Sequence, residues 1–271
     1  MIKDPIIKAK YEKLVGILRG YGRVAVAFSG GVDSTLLLYA ANEASEGHAL
    51  AITAAPKYVP ERERREAAAF CEEHCIEQII AEVDGLSIPG FAGNPPDRCY
   101  ICKKALFTEM LRIASERGIT KIAEGSNLDD LGDYRPGLKA LAELEILSPL
   151  REAGLTKADI RAISRELGLP TADKPSYACL ASRFVYGETI TGEKLAMVEK
   201  AEDYLIGIGF RQVRVRIHGE DLARIEVPPE EMAQAFYLKD DITAALREAG
   251  FRYVTIDLAG YRTGSMNEAL K

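Results

Sequence analysis

Three short segments carry residue types and spacings suited to chemistry. Residues 29 to 34 read Ser-Gly-Gly-Val-Asp-Ser, between the apolar run RVAVAF and TLLLYAA. A glycine-rich turn between a strand and a helix start is an anion cradle. Gly30 and Gly31 lack the Cβ atoms that would hold a phosphate off the backbone, Ser29 and Ser34 add hydroxyls, and the N–H groups of the first helical turn point at the ligand. A plain strand-to-helix turn capped by its serines is the simpler alternative, but the whole hexapeptide in this setting points to a nucleotide phosphate site. The segment NPPDRCYICKK sets Cys99 and Cys102 in a C-x-x-C spacing just ahead of a helix expected from about Lys103 to Arg117. That spacing is open to a metal or cluster site, a redox dithiol, or chance. In DKPSYACLASR, Cys179 is flanked by Lys174 and Arg183. Nearby positive charge favours the thiolate, so Cys179 is either a reactive nucleophile or a buried small hydrophobe.

The elements that must position these residues read from periodicity. Ile7, Tyr11, Leu14 and Leu18 form one helical stripe ahead of the first strand. The runs RVAVAF, ALAITAA, EQIIAEV and KIAEG read as strands, separated by helical segments such as ERERREAAAFCEEHC and followed by TKADIRAISRELG. Strands alternating with helices predict an α/β domain built on a parallel sheet covered on both faces, with ligands at the carboxyl ends of the strands, where Ser29 lies. The rhythm then changes to helix, hairpin, helix, strand: EKLAMVEKAEDYLIGIG, RQVRVRIHG with LARIEV, PEEMAQAFYLKDDITAALREAG and RYVTIDL. This α+β pattern predicts a boundary near Arg183, with domains over 1–182 and 183–271.

The 271 residues, 47% apolar and 28% charged, are those of a soluble globular chain. No secretory or transit pattern is visible, and no apolar run approaches the ~20 residues that span a bilayer, so a cytoplasmic protein without a membrane partner is expected. A formal net charge of −6 argues against nucleic acid as a partner. Five cysteines, an odd number, suit catalytic, metal-binding or buried thiols better than a full disulfide set. Cys71 and Cys75, four apart on the expected helix and with His74 adjacent, could share a metal, although Ala67, Ala68 and Cys71 read as a buried stripe.

No Lys-Ser/Thr pair follows the glycines, so the loop is not of the Walker type. It resembles the pyrophosphate loop of the PP-loop ATP pyrophosphatases, whose adenine nucleotide alpha hydrolase-like domain splits ATP between the α and β phosphates. That resemblance implies that Ser29, Gly30, Gly31, Val32, Asp33 and Ser34 contact ATP, with Asp33 orienting Mg²⁺. Further along, SGGVDS, RCYICK, EGSNLDD, DYRPG, GLPTADKPSYACLASR, YGETIT and RVRIHG with LARIEV occur in this order. Together they resemble the LarE family, the pyridinium-3,5-bisthiocarboxylic acid mononucleotide synthases of nickel-pincer cofactor synthesis. The resemblance implies adenylation of the carboxylates of a small pyridinium mononucleotide, followed by sulfur transfer. Some members look like three-cysteine enzymes holding a [4Fe-4S] cluster, which implies Cys99, Cys102 and Cys179 as ligands and a cluster-bound hydrosulfide as sulfur donor. Others act with one sacrificial cysteine, which would be Cys179. Glu124 to Asp130, at the carboxyl end of KIAEG, suit nucleotide or metal contacts unless they merely cap a helix in a solvated acidic turn, and Ser126 and Lys174 become nucleotide candidates. Arg135, Arg183, Arg214 and Arg216 become candidates for the substrate phosphate or carboxylates, Arg214 and Arg216 sharing a strand face unless that face is merely solvated. Arg98 and Lys103 could offset cluster charge or contact phosphate. A homo-oligomer is expected. The competing readings are a PP-loop tRNA thiolase, an amidating synthetase and a nucleotide-binding module without turnover.

Overall fold

Strands apolar on both faces, alternating with helices that carry one apolar stripe, leave the first half of the chain one economical arrangement: a parallel sheet between helical layers. The computed structural model describes residues 2–132, 136–175, 178–262 and 265. In chain order the first elements are α1 (Pro5–Tyr21), β1 (Ala25–Ala27), α2 (Val32–Ala44), β2 (Leu50–Ala54), α3 (Glu61–Glu73), β3 (Glu77–Ala81), α4 (Arg98–Glu116), β4 (Ile122–Ala123), α5 (Gly137–Glu143), α6 (Pro149–Glu152) and α7 (Lys157–Glu166). α1 begins at Asp4, whose carboxylate accepts from the N–H groups of Ile6 and Ile7, with Pro5 in the first turn. Both features satisfy or remove donors that a helix start leaves unpaired. Its buried stripe is Tyr11, Leu14, Val15 and Leu18, with Ile7 half-buried at the margin.

The four strands form a parallel sheet in the order β3-β2-β1-β4. Ala25 of β1 pairs with Leu50 on one side and Ile122 on the other. Successive residues of β1 face opposite layers: Val26 packs with Leu14, Leu18, Leu37 and Ile163, and Ala25 with Leu50, Phe107, Met110 and Ile122. The chain runs outward from β1 to β3 and then returns to the opposite side as β4. The strand order therefore reverses between β1 and β4, and the crevice at their carboxyl ends is where such sheets bind ligands.

By compactness the chain divides into two units, one of residues 1–83 and 99–177, the other of residues 84–98 and 178–271. The second unit contains α8 (Gly192–Gly207), β5 (Arg214–His218), β6 (Leu222–Glu226), α9 (Met232–Tyr237), α10 (Lys239–Glu248) and β7 (Tyr253–Ile256). β5 and β6 are antiparallel, as the short Gly219 turn requires, and β7 joins β6 in parallel. Segment 84–98 is tied into this unit by backbone: the N–H of Gly187 donates to Asn94 at 2.9 Å and that of Ile190 to Ala92 at 2.8 Å. The Asn94 side chain, fully buried, donates to the Val185 carbonyl at 2.6 Å. Among the described residues no helix is long and apolar enough to cross a membrane.

Candidate functional site

β1 leads into buried Phe28, and the chain turns through Ser29, Gly30 and Gly31 into α2, with Gly31 as N-cap. No side chain caps this helix start. The turn is held from within: Ser34 Oγ donates to the Gly31 carbonyl at 3.2 Å, accepts from the Ser29 N–H at 3.3 Å and lies 3.0 Å from Ser29 Oγ. Gly30 has φ +70°, and a Cβ there would stand 3.2 Å from Ala67 Cβ on α3. Val32 and Ser34 are buried, Gly31 and Asp33 half-buried, and Ser29 exposed. The result is a tight turn whose backbone can approach an anion at the positive end of α2.

The loop after β4 closes on the same helix start. A Cβ on Gly125 would lie 3.1 Å from the Ser34 nitrogen and 3.2 Å from Asp33 Cβ, so only glycine fits without displacement. Glu124, buried beside it, accepts from the Ser126 N–H at 3.0 Å, from Ser126 Oγ at 2.8 Å and from Ser148 Oγ at 2.8 Å. Ser126 is buried, and its hydroxyl donates to Glu124. Asn127 donates to Asp33 Oδ1 at 3.2 Å, and the Lys157 ammonium bonds to Asp33 Oδ2. Lys157 opens α7, whose start is fixed by a capping box between Thr156 and Asp159. On the other flank Lys174 donates to the Gly30 carbonyl at 2.9 Å and to Glu66 at 2.6 Å. The structure thus brings Ser29 to Ser34, Ser126 and Lys174 into one neighbourhood. Arg135 lies outside the described residues.

The structure moves the start of the helix that carries the C-x-x-C segment. α4 begins at Arg98, so Cys99 and Cys102 lie in its first turns and not ahead of it. Pro95 and Pro96 stop the helix from extending backwards, and the Arg98 N–H closes the turn onto the Pro95 carbonyl at 2.9 Å. Residues three apart on a helix are neighbours, so the spacing suits a shared ligand. Cys99 is exposed and Cys102 half-buried, and none of the five cysteines is in a disulfide. The hydroxyl of buried Tyr58 lies 2.9 Å from Cys102 Sγ. Arg98 itself is buried, bonded to Asn94 and 5.4 Å from the Tyr186 ring centre. Cys71 and Cys75 do not share a helical face: α3 ends at Glu73, and Cys75 has φ +53° and is exposed while Cys71 is buried. Burial pushes the Cys71 thiol up to about 11. Among the described residues no group of three His, Cys, Asp or Glu side chains is placed to hold a metal ion.

In the second unit Cys179 is half-buried and directly precedes a 3₁₀ turn, Leu180–Arg183. Arg183 is completely buried. Its Nε and Nη2 reach the Glu202 carboxylate at 2.7 and 2.8 Å, and Nη1 donates to the carbonyls of Ala178 at 2.9 Å and Cys179 at 3.3 Å. Glu202 also accepts from the Val215 N–H at 2.9 Å. Arg214 and Arg216 do share one face of β5, and that face is buried, not solvated. Arg216 donates to the Ser182 carbonyl at 2.9 Å and to Glu226 at 2.8 Å, with its Nε unpartnered among the described residues. Burial, then the charge of Arg183, pulls the Arg214 guanidinium below its ordinary range, and Arg214 lies 5.3 Å from the Tyr261 ring centre. An organised cationic face beside the Cys179 turn can receive anionic groups or hold that turn in place.

Gly125 and Asn127 fall in EGSNLDD, the stretch expected to suit nucleotide or metal contacts, whereas Lys157 is legible only as a member of a helical segment and Tyr58 carries no local signal at all. No family model matches the chain. It is 38% identical over 265 residues to the pyridinium-3,5-bisthiocarboxylic acid mononucleotide synthase of Lactiplantibacillus plantarum, covering 97% of this chain and 96% of that one. It is 41% identical over 270 residues to an uncharacterised protein of Synechocystis, covering 98% and 99%. A tRNA-specific 2-thiouridylase of Synechococcus is 33% identical over 65% of this chain and 55% of its own length.

Proposed function

The chain belongs to the LarE family of pyridinium-3,5-bisthiocarboxylic acid mononucleotide synthases, in the PP-loop superfamily, and on that premise we propose an ATP-dependent sulfur transfer to a pyridinium dicarboxylate mononucleotide. The observation that carries this reading is the meeting of the Ser29–Ser34 turn with Gly125 and Asn127 at the carboxyl ends of β1 and β4. A carboxylate is a poor acyl donor, because its charge repels nucleophiles and its oxygen is a poor leaving group. Its oxygen would attack the α-phosphorus of ATP, forming an acyl adenylate and releasing pyrophosphate. A sulfur nucleophile then adds to the acyl carbon and AMP leaves, so one C–S bond replaces one C–O bond and the product is a thiocarboxylate.

In this reading the turn and the α2 N–H groups bind the pyrophosphate portion, Lys174 flanks it, and Ser126 lies at the nucleotide. Asp33 would hold Mg²⁺, which offsets phosphate charge. Arg135, Arg214 and Arg216 bind the substrate's phosphate and carboxylates, and Arg183 steadies the turn that carries Cys179. Cys99, Cys102 and Cys179 fit a cluster by donor type, three thiols outside disulfides. They would hold a [4Fe-4S] group, which would supply sulfur as hydrosulfide.

The test joins two measurements on anaerobically purified protein. Pyrophosphate release that depends on the dicarboxylated pyridinium mononucleotide supports adenylation, and nucleotide binding without release overturns it. Iron and sulfide in the reconstituted protein support the cluster. Their absence, with loss of the elements of H₂S from Cys179 after one turnover, replaces it with a sacrificial cysteine.

A further inference from the structure

The ion pair between Lys157 and Asp33 joins residues 124 positions apart at the first turn of α2. Both side chains are partly open to solvent, 35% for Lys157 and 22% for Asp33. Around them the backbone is fixed: the Lys157 N–H donates to Asp129 Oδ2 at 2.8 Å, the Leu128 N–H to the Leu155 carbonyl at 3.0 Å, and Thr156 caps α7. Asp33 is therefore gripped at both oxygens, by Asn127 and by Lys157, on a rigid frame. A triphosphate brought to this turn would meet the Asp33 carboxylate as a like charge unless a cation intervenes. Lys174 does not lie against Asp33, since its ammonium is shared between the Gly30 carbonyl and Glu66. Lys157 is the ammonium that does, on a flexible stem that can reach to either side, and a partly exposed pair of this kind is weak enough to exchange.

We propose that Lys157 is a phosphate-binding residue of the loop, its ammonium passing from the Asp33 carboxylate to the pyrophosphate oxygens of ATP as Asp33 takes up the divalent cation. This rests on the reading of the Ser29–Ser34 turn as an ATP site. No covalent step is involved: two salt links exchange partners, and charge stays paired throughout.

Calorimetric titration of the full chain with ATP, inorganic pyrophosphate and AMP, each with Mg²⁺, tests it. Lys157→Met should weaken ATP and pyrophosphate by about ten- to hundredfold, the value of one charge-assisted contact, and leave AMP nearly unchanged. Lys157→Arg should keep most of the affinity. If the Met variant does not fold, Lys157→Gln, which can still bond Asp33, reads the same quantity. Unaltered pyrophosphate affinity in the variant overturns the proposal, as does an equal loss for AMP, which marks a merely structural role. Failure of the unmodified chain to bind either ATP or pyrophosphate overturns the ATP site itself, and this proposal with it.

Discussion

Arg183 and Glu202 meet as a two-point fork with both side chains fully removed from solvent, Nε to Oε1 at 2.7 Å and Nη2 to Oε2 at 2.8 Å. The remaining nitrogen of Arg183 reaches the carbonyls of Ala178 and Cys179, so one guanidinium ties the cysteine turn to α8. Substituting Arg183→Met removes the cation and leaves a buried carboxylate, a loss of about 3–5 kcal/mol of stability in urea unfolding. Because the turn loses its anchor, alkylation of Cys179 in the folded variant should accelerate. An unchanged Cys179 rate would show that the turn is held by something else.

The same pair sets a pH dependence. Burial alone would raise the Glu202 carboxyl, but the charge and hydrogen bonds of Arg183, then the charge of Arg214 and the Val215 N–H, outweigh it and hold the group below the ordinary carboxylate range. A carboxyl depressed in the folded chain contributes stability that is present above its unfolded pKa, ~4.3, and lost as pH falls through the lower folded value. Asp257 adds in the same direction: burial opposes it, and the Ala259 N–H and Arg224 prevail. Unfolding followed by circular dichroism should show stability flat near neutrality and falling below about pH 4. In Glu202→Gln that acid limb should flatten.

Two glycines test the closeness of approach at the Ser29–Ser34 turn. Gly30→Ala forces a side chain into φ +70° and against Ala67, at a cost of about 1–2 kcal/mol from the backbone alone. Gly125→Ala pushes the loop after β4 off Ser34 and Asp33. Both variants should lose pyrophosphate affinity by about tenfold or more, equivalent to ~1.4 kcal/mol, while remaining folded. Titration of each variant with pyrophosphate gives the answer, and full affinity in Gly125→Ala would refute the packing argument.

Thiol reactivity should divide the five cysteines. Cys75 and Cys99 are exposed, and Cys71 is buried with its thiol pushed up to about 11. Mass-resolved alkylation of the native chain near neutrality should label Cys75 and Cys99 early and spare Cys71 until unfolding. Cys99→Ala separates the sulfur sources. Loss of sulfur transfer follows if Cys99 ligates a cluster, and retained transfer follows if Cys179 alone is the donor.

What could be read from the sequence is what is local. The hexapeptide at Ser29, the stripe through Tyr11, Leu14 and Leu18, and the strand and helix alternation each depend on residues within a few turns of one another, because hydrophobic period and turn chemistry are short-range. The start of α4 at Arg98 is not legible locally, because a C-x-x-C spacing carries no helical period of its own and Pro95 and Pro96 mark the boundary only once the turn at Arg98 is closed.

The partners of those residues were settled by tertiary structure. Asn127 and Lys157 lie 94 and 124 positions from Asp33, and they meet it because β4 pairs with β1 in the sheet. Strand order follows from which apolar faces bury together, a property of the assembled layers and of no single segment. Burial likewise turned Arg183, Arg214 and Arg216 inward: a guanidinium looks the same in sequence whether it faces water or a buried carboxylate, and only the packing of α8 and β6 brings Glu202 and Glu226 to meet them. The sequence by itself thus determined a glycine-rich strand-to-helix turn on a parallel sheet and the spacing of the cysteines along the chain. Tertiary structure decided which charges stand at that turn, and which are enclosed, because only folding brings distant residues within reach of an ion pair.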